Sequence, residues 1–201
     1  MFSGIVETTG LVTKITNDKG CKHIIFSPKK SFDDIAIGDS ISMNGVCITV
    51  TQKKMQSFHT TVVPETLRLT NLAMLKEDDE INLERSIKAD QRISGHYVQG
   101  HVDGRGEILS LENDGVDNAA RIAKISLPSD LHKYIIKKGY IAIDGMSITV
   151  MDIAPDYFTV TFIPHTQQET IVKHYREKMF VNLEVDMLSK YIEKLIGNPR
   201  A

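Results

Sequence analysis

The sequence predicts an all-β protein made of two homologous small barrels in tandem, followed by a C-terminal α-helix. Three observations carry this prediction: an internal repeat with an offset of 100 residues, short strand-like runs between turn residues, and an amphipathic segment at the end of the chain. A length of 201 residues accommodates two such units and a tail.

The repeat is clearest in one ten-residue segment. Ile41-Ser-Met-Asn-Gly-Val-Cys-Ile-Thr-Val50 returns as Ile141-Ala-Ile-Asp-Gly-Met-Ser-Ile-Thr-Val150, with five identical positions. The same register joins Ile81-Asn-Leu-Glu84 to Val181-Asn-Leu-Glu184. Two copies of one unit indicate two similar ligand sites, which favours a chemistry that uses two similar ligands.

Alternating apolar residues and turn signals predict short antiparallel strands. The run Gly10–Thr16 precedes the turn sequence Asn17–Gly20, and His23–Phe26 follows it. In each repeat an Asn-Gly or Asp-Gly pair, Asn44-Gly45 or Asp144-Gly145, interrupts the alternation and marks a tight turn or bulge. Closure removes exposed strand edges, so we expect each half to form a barrel.

Three units follow from these patterns. The polar segment Ser86–Ser94 is interpreted as a linker, which gives an N-terminal unit at residues 1–93 and a C-terminal unit at residues 94–187. Residues 188–201 form the third unit, a helix with a tail that serves oligomerisation.

The terminal helix is predicted from apolar residues at helical spacing, with Gly197 and Pro199 as stop signals. A helix of about ten residues is marginal alone, so its apolar stripe must pack on its own barrels or on other subunits, and we favour an oligomer. The stripe consists of Leu188, Tyr191, Ile192, Leu195 and Ile196.

Composition narrows the class of partner. A net charge of −2, from 24 basic and 26 acidic residues, argues against nucleic acid or an anionic membrane, leaving small molecules and protein surfaces. The two cysteines, Cys21 and Cys47, form neither a disulfide framework nor a CxxC motif. With no membrane-spanning run and no signal-like start, we expect a cytoplasmic protein. Neither metal-ligand spacing nor a dinucleotide motif occurs, so no metal and no cofactor are expected.

Seven segments together resemble the riboflavin synthase family, in the family's order and over nearly the whole chain. They are Met1–Glu7, Asn44–Val50, Glu65–Leu72, Ile81–Arg85, Gly95–Asp103, Asp144–Val150 and Ile163–Thr166. Two positions depart from the usual pattern: Ser94 precedes Gly95-His96 where relatives carry a second glycine, and His165 stands where relatives often carry an acidic or other residue.

The resemblance implies two tandem homologous six-stranded Greek-key β-barrels and a C-terminal helix that helps to form a homotrimer. It implies dismutation of two molecules of 6,7-dimethyl-8-ribityllumazine, in which transfer of a four-carbon unit gives riboflavin and 5-amino-6-(D-ribitylamino)uracil. The substrate ring serves as electron sink, so no cofactor is implied. Donor and acceptor are implied to lie across a subunit interface, and association with a lumazine synthase shell is left open.

Cys47 and Ser147 occupy the same position in the two repeats, so a thiol faces one site and a hydroxyl the other. Both match active-site residues of the family. A thiol near an electrophilic ring carbon can act as a polar or nucleophilic group. The residues alone favour the alternatives, in which Cys47 is a small buried strand residue and Ser147 is a backbone hydrogen-bonding residue.

His101 stands where the first repeat has Ile5, so one copy alone carries a titratable group there. A histidine can act as general base near neutral pH, which suits removal of a proton from the 7-methyl group of the lumazine. The resemblance implies that role, and an ordinary surface or core histidine is the alternative. His96 lies nearer the linker and is left open between scaffold and site.

Four further positions resemble family site residues. Ser40 is implied to contribute to the site, Asp144 and Asp186 to act in the second half and at the subunit boundary, and Lys138 to reach a ligand on the neighbouring subunit. The residues themselves also allow Asp144 to be a turn residue, Asp186 a helix N-cap, and Lys137-Lys138 a solvated charge pair.

Backbone groups of Gly4–Val6, Thr61–Thr66, Gly100–Val102 and Ile163–Thr166 are expected at the pteridine edge. Phe2 resembles a terminal aromatic that packs at the site, with a disordered terminus as the alternative. The expected substrate-binding set is Phe2, Gly4, Ile5, Val6, Cys47, Ile48, Thr49, Thr61, Val62, Val63, Glu65, Thr66, Gly100, His101, Val102, Lys138, Ser147, Ile148, Thr149, Phe162, Ile163, His165 and Thr166.

The competing function is a non-catalytic lumazine- or flavin-binding antenna protein with the same double barrel. Such a binder needs one competent half, whereas this chain keeps Cys47, His101 and Ser147 and the Gly-x-x-Ile-Thr-Val pattern in both halves. This retention favours the enzyme.

Overall fold

The computed structural model describes residues 1–114 and 119–197, and strands in two sheets make up most of it. Residues 198–201 of the predicted tail lie outside the described residues. The first sheet contains β1 (Thr8–Asp18), β2 (Cys21–Pro28), β3 (Ser40–Met43), β4 (Val46–Thr49), β5 (Gln52–Lys54), β6 (Ser57–Val62) and β7 (Glu80–Arg85). The second contains β8 (Gly104–Asn113), β9 (Arg121–Ser126), β10 (Tyr140–Ile143), β11 (Met146–Ile153), β12 (Tyr157–Phe162) and β13 (Phe180–Val185).

In the described residues, three α-helices accompany the strands: α1 (Pro64–Leu69), α2 (Pro164–Glu169) and α3 (Met187–Ile196). Short 3₁₀ turns cover Asn71–Met74, His132–Tyr134 and Ile171–His174. Pro64 and Pro164 each begin a helix, where the fixed φ of proline is favourable and its missing N–H costs nothing. The spacing of apolar residues in the sequence did not predict these two short helices.

The two sheets share one antiparallel arrangement. The second is a closed barrel in the order β10-β11-β12-β9-β8-β13. The first runs β4-β3-β7-β1-β2-β6-β5, and the single strand β11 corresponds to β4 and β5, which residues 50 and 51 separate. The two edge strands of the first sheet, β4 and β5, are therefore consecutive in the chain. The strands of the first sheet thus follow the same cyclic order as those of the closed barrel. The prediction of two barrel-like sheets followed by a helix is confirmed.

Tight turns shape the hairpins that the repeat predicted. Asn44 and Gly45 have φ values of 46° and 78°, and Asp144 and Gly145 have 43° and 82°. Two successive residues with positive φ define a turn whose twist matches that of the flanking strands. The turn predicted after β1 is shorter than expected, because β1 continues to Asp18.

Each half buries its own apolar core. The first includes Phe26 and Phe58, whose ring centroids lie 5.8 Å apart, and the second includes Phe158 and Phe162. All four side chains are fully buried, and burial of each contributes about 1.5–3 kcal/mol to stability. The outer face of each barrel is thus free to carry polar groups on a rigid support.

Helix α3 has the length and apolar stripe that the sequence predicted. Asp186 caps it, because its Oδ1 accepts a hydrogen bond from the Leu188 N–H at 3.0 Å. The five stripe residues are 53–78% exposed in the single chain. No helix in residues 1–114 or 119–197 is long and apolar enough to cross a membrane.

Candidate active site

Cys47 and Ser147 occupy equivalent positions in equivalent hairpins. Cys47 on β4 pairs with Ser42, and Ser147 on β11 pairs with Ala142. The neighbours of Cys47 in sequence point into the first core, so alternation along the strand places the thiol on the outer face. The same alternation places the Ser147 hydroxyl on the outer face of the second barrel.

Each of these residues is bonded to the first segment of the other repeat. The Cys47 N–H donates to the Gly100 carbonyl at 2.8 Å, and the Ser147 N–H donates to the Gly4 carbonyl at 2.7 Å. If each half-site came from a single repeat, Gly4 would lie against Cys47 and Gly100 against Ser147. The structure shows the opposite pairing. Both half-sites are therefore composite, with residues from both repeats.

Glycine is required at both crossing points. Gly4 and Gly100 have φ values of 76° and 80°, which other residues rarely adopt. A Cβ on Gly4 would lie 2.7 Å from the Ser147 Cβ, and one on Gly100 would lie 2.6 Å from the Cys47 Cβ. The first segments thus lie directly against the strands that carry the thiol and the hydroxyl.

The residues after these glycines follow the same exchange. Val6 packs against the second core and Val102 against the first. Between glycine and valine, Ile5 and His101 are exposed. His101 therefore belongs with Cys47, and the equivalent position beside Ser147 carries the apolar side chain of Ile5.

Phe2 lies between the two half-sites. It is fully buried and packs with Val98 and Ala142, with Cys47 against the same cluster. Its N–H donates to the Val98 carbonyl at 2.7 Å, and the Val98 N–H donates back at 3.1 Å. The alternative of a disordered terminus does not describe this residue.

His96 contacts Ser147 directly. Its Nδ1 lies 2.7 Å from the Ser147 Oγ, and its ring stacks on Tyr140 with centroids 5.5 Å apart. Its Nε2 is buried without a hydrogen-bond partner in the described part of the chain. Burial lowers the pKa of His96, and the charge of Asp186 partly opposes this shift. The ring is therefore neutral over most of the physiological range.

Within the described residues, no histidine is hydrogen-bonded to the Cys47 thiol as His96 is to the Ser147 hydroxyl. The half-sites consequently differ in two ways: a thiol with an exposed histidine on one side, and a hydroxyl bonded to a buried histidine on the other.

A family model described as the lumazine binding domain matches residues 3–86 and 99–186. A riboflavin synthase of Schizosaccharomyces pombe is 41% identical over 202 residues, with 98% of this chain and 94% of that protein covered. One of Actinobacillus pleuropneumoniae is 39% identical, with 98% and 90% covered. The chain belongs to the riboflavin synthase family. This identification agrees with the resemblance found in the sequence.

The solved structure of LumP complexed with 6,7-dimethyl-8-(1'-D-ribityl)lumazine has the same fold. Its TM-score is 0.82 at 20% identity, over 92% of this chain and 99% of that chain. At this identity the likeness concerns the fold alone.

In this member of the riboflavin synthase family, Asp144 lies at the junction of the barrels. Its Oδ1 accepts hydrogen bonds from Asn71 Nδ2 and the Asn182 N–H, both at 2.8 Å, and its Oδ2 accepts one from the Tyr175 hydroxyl at 2.6 Å. Burial raises the pKa of Asp144 to about 7, although these hydrogen bonds oppose the shift. Asp144 is thus both a turn residue and part of the contact between the two halves.

Asp186 and Ser40 lie at element ends, and Lys138 lies in the turn before β10. Asp186 caps α3, as described above. Ser40 begins β3, is half-buried, and its carbonyl accepts from the Ser86 hydroxyl at 2.9 Å. Lys138 is exposed and has a φ of 66°. In the single chain these three are separate features, and their implied roles as site residues stay predictions.

The other expected binding residues fall into two classes by burial. Core-facing side chains can offer only their backbone groups to a ligand; they are Ile48, Val62, Ile148 and Phe162. Residues with exposed or half-buried side chains can offer side-chain groups as well as backbone groups; they are Thr49, Thr61, Val63, Glu65, Thr66, Thr149, Ile163, His165 and Thr166. Glu65 is already paired with Arg68, with 2.6 Å between its Oε1 and the guanidinium.

Two buried acids support the exchanged segments and were not assigned from the sequence. Glu84 accepts hydrogen bonds from the N–H groups of Ser3 and Gly4, and Glu184 from those of Gln99 and Gly100. Burial raises the pKa of Glu84 to about 7 and also raises that of Glu184, while the backbone donors oppose both shifts. The signal was present as an acid retained at an offset of 100 residues, at the end of the matched segments Ile81–Glu84 and Val181–Glu184.

Among the described residues, no group of three or more His, Cys, Asp or Glu side chains is arranged to hold a metal ion. Both cysteines are free thiols.

Proposed function

We propose that this protein catalyses the dismutation of two molecules of 6,7-dimethyl-8-ribityllumazine to riboflavin and 5-amino-6-(D-ribitylamino)uracil. One observation carries the proposal: the fold presents two half-sites with equivalent backbones and unlike chemical groups. Transfer of a four-carbon unit between identical molecules needs such inequality, because one molecule must donate and the other accept. The named relatives, at about 40% identity over nearly the whole chain, support the same reaction.

The residues suit the steps of this reaction. His101 is exposed and directly follows Gly100, which is bonded to Cys47, so it can take a proton from the acidic 7-methyl group of a lumazine bound there. The Cys47 thiol stands on the outer face, where it can approach an electrophilic ring carbon. On the other side, His96 fixes the Ser147 hydroxyl as a hydrogen-bonding group. These groups handle protons and orientation, while the substrate ring itself accepts electron density.

The full site is proposed to form between subunits of a homotrimer, with the N-terminal half of one subunit facing the C-terminal half of a neighbour. The exposed apolar stripe of α3 supports an oligomer, since five large apolar side chains in ten residues are otherwise left in water. We retain the units 1–93, 94–187 and 188–201, and a cytoplasmic setting, which the two free thiols favour.

The test is to mix the purified protein with 6,7-dimethyl-8-ribityllumazine, without metal or nicotinamide, and to follow riboflavin absorbance and the pyrimidine product. We expect one riboflavin for every two substrate molecules consumed. Tight binding without turnover would instead assign the chain to the antenna proteins, and the absence of both binding and turnover would refute the proposal.

A further inference from the structure

Glu84 and Glu184 are buried acids at corresponding positions of the last strand of each half, β7 and β13. Each residue is 3% exposed. Burial of an ionisable carboxyl group is unfavourable unless hydrogen-bond donors surround its oxygens. Here those donors are backbone N–H groups, which ties each acid to the position of one chain segment.

The segment that each acid binds is the first segment of its own repeat. Glu84 Oε1 accepts from the Ser3 N–H at 2.7 Å, and Oε2 from the Gly4 N–H at 3.1 Å. Glu184 Oε1 accepts from the Gln99 N–H at 2.7 Å, and Oε2 from the Gly100 N–H at 2.9 Å. Because two oxygens of one carboxylate bind two successive N–H groups, they fix both the position and the orientation of the peptide between them.

The glycine held in this way bonds across to the other half. Gly100 accepts from the Cys47 N–H, and Gly4 accepts from the Ser147 N–H. One residue therefore separates each carboxylate from the residue that carries the thiol or the hydroxyl. Neither glycine has room for a Cβ, so the segment and the strand cannot shift independently.

We propose that Glu184 and Glu84 are positioning residues for the half-site of the opposite barrel. Glu184 fixes Cys47 through Gly100, and Glu84 fixes Ser147 through Gly4. The consequence for turnover rests on the proposed function, whereas the positioning itself does not. The effect is crossed: loss of the acid in the second barrel disturbs the thiol of the first.

A carboxylate suits this role because both of its oxygens accept hydrogen bonds, whereas an amide side chain has only one acceptor oxygen. Glutamine offers one acceptor oxygen and an NH₂ group that only donates. In Glu184→Gln, the amide nitrogen would face the N–H of Gln99 or Gly100, so one bond of the pair is lost while the side-chain shape is kept. Glu184→Gln and Glu84→Gln are therefore matched variants that loosen one segment each.

Thiol alkylation reports which half-site is disturbed. In a Cys21→Ser background, Cys47 is the sole cysteine of the chain, which has two. A second background carries Cys21→Ser, Cys47→Ser and Ser147→Cys, so its single thiol stands at position 147. The rate of reaction with iodoacetamide is measured in both backgrounds for the two Gln variants, with denaturant unfolding alongside. The control is Glu112→Gln, at an exposed position of β8.

We expect Glu184→Gln to change the alkylation rate of Cys47 severalfold and to leave position 147 unchanged, and Glu84→Gln to do the reverse. With native cysteines and the lumazine as substrate, each variant should lower kcat/KM by about tenfold, because misplaced groups react slowly. Equal changes at both thiols, a change confined to the variant's own barrel, or no change would overturn the proposal.

If the Gln variants fail to fold, Glu184→Asp and Glu84→Asp provide the same crossed test, because they keep both acceptors but shorten their reach. The same crossed pattern is expected, and its absence overturns the proposal. A crossed alkylation pattern in a protein that does not turn over the lumazine would uphold the positioning role and refute the proposed function.

Discussion

Cys47 and Ser147 share a backbone position but differ in their neighbours. Ser147 is bonded to the buried His96, and Cys47 lies beside the segment that carries the exposed His101. Because the hairpins are alike, the difference between the half-sites comes from single side chains. Substitution at these positions therefore tests the reaction with little change in the fold.

Cys47→Ser is expected to lower kcat by about tenfold or more with a smaller change in ligand affinity, because a hydroxyl keeps the size but is a weaker nucleophile. Steady-state rates and equilibrium binding of the lumazine measure the two effects. Cys21→Ser, at the start of β2, is the matched control. An unchanged rate in Cys47→Ser would contradict a chemical role for the thiol.

His101→Ala is expected to slow turnover by about 100-fold, the usual contribution of a general base. The exchange of 7-methyl protons with deuterated water, followed by NMR on the bound lumazine, isolates this step. His132→Ala, at an exposed position in a 3₁₀ turn, serves for comparison. Equal exchange rates in both variants would remove His101 from the proton-transfer step.

At the scale of elements, the exchanged first segments and the terminal helix each have a distinct role. The segments complete half-sites that lie in the opposite repeat. Helix α3 presents its apolar stripe outward from the single chain. Substitutions in a first segment should therefore alter a half-site, whereas truncation of α3 should alter subunit assembly.

Gly100→Ala is expected to destabilise the protein and to displace Cys47. The left-handed φ alone costs about 1–2 kcal/mol, and the close approach to Cys47 adds about 1–3 kcal/mol. Gly38→Ala is the control, since Gly38 also has a positive φ but no atom of the described residues lies within 4 Å of the position that its Cβ would take. Urea unfolding of the two variants separates the cost of the left-handed φ from the cost of the close contact with Cys47. Equal losses of stability would mean that the contact with Cys47 is readily relieved.

Deletion of the residues from Ser189 onward is expected to convert the proposed trimer to smaller species, because most of the apolar stripe is removed. Sedimentation velocity measures the change, and circular dichroism checks that the strands remain. An intact trimer after truncation would show that α3 does not hold the subunits together.

At the scale of the whole molecule, the two barrels meet around buried polar groups. Asp144 connects residues of both halves and has a pKa of about 7, well above its ordinary value of 3.8. The folded protein therefore favours the protonated carboxyl. The contribution of this proton to the free energy of unfolding is complete below pH 3.8 and is lost as the pH rises through about 7.

Asp144→Asn should remove this contribution to pH dependence. The wild-type free energy of unfolding, relative to the variant, should fall between pH 4 and pH 7 by at most about 1.4 kcal/mol per pH unit. Urea titrations at several pH values give the difference, in which other groups such as Glu80 cancel. Parallel curves for the two proteins would show that Asp144 is not protonated in the fold.

The sequence alone was sufficient to predict the repeat, the hairpin turns and the terminal helix, because each depends on the spacing of residues in the chain. It identified Cys47 and Ser147 as equivalent for the same reason. The exchange of the first segments was not predictable, since Gly4 and Ser147 are distant in the chain and the repeat itself suggests the opposite pairing. His96 precedes Gly100, where the matched segments begin, so comparison of the halves carried no signal for its contact with Ser147.

The exchanged segments also couple the unfolding of the two barrels. Melting either barrel would release a segment that completes a half-site in the other. A ligand held at one half-site should consequently raise the thermal midpoint of both, and calorimetry should record one cooperative transition where two independent domains would give two. The repeat would thus duplicate the half-site without dividing the molecule into separate thermodynamic units.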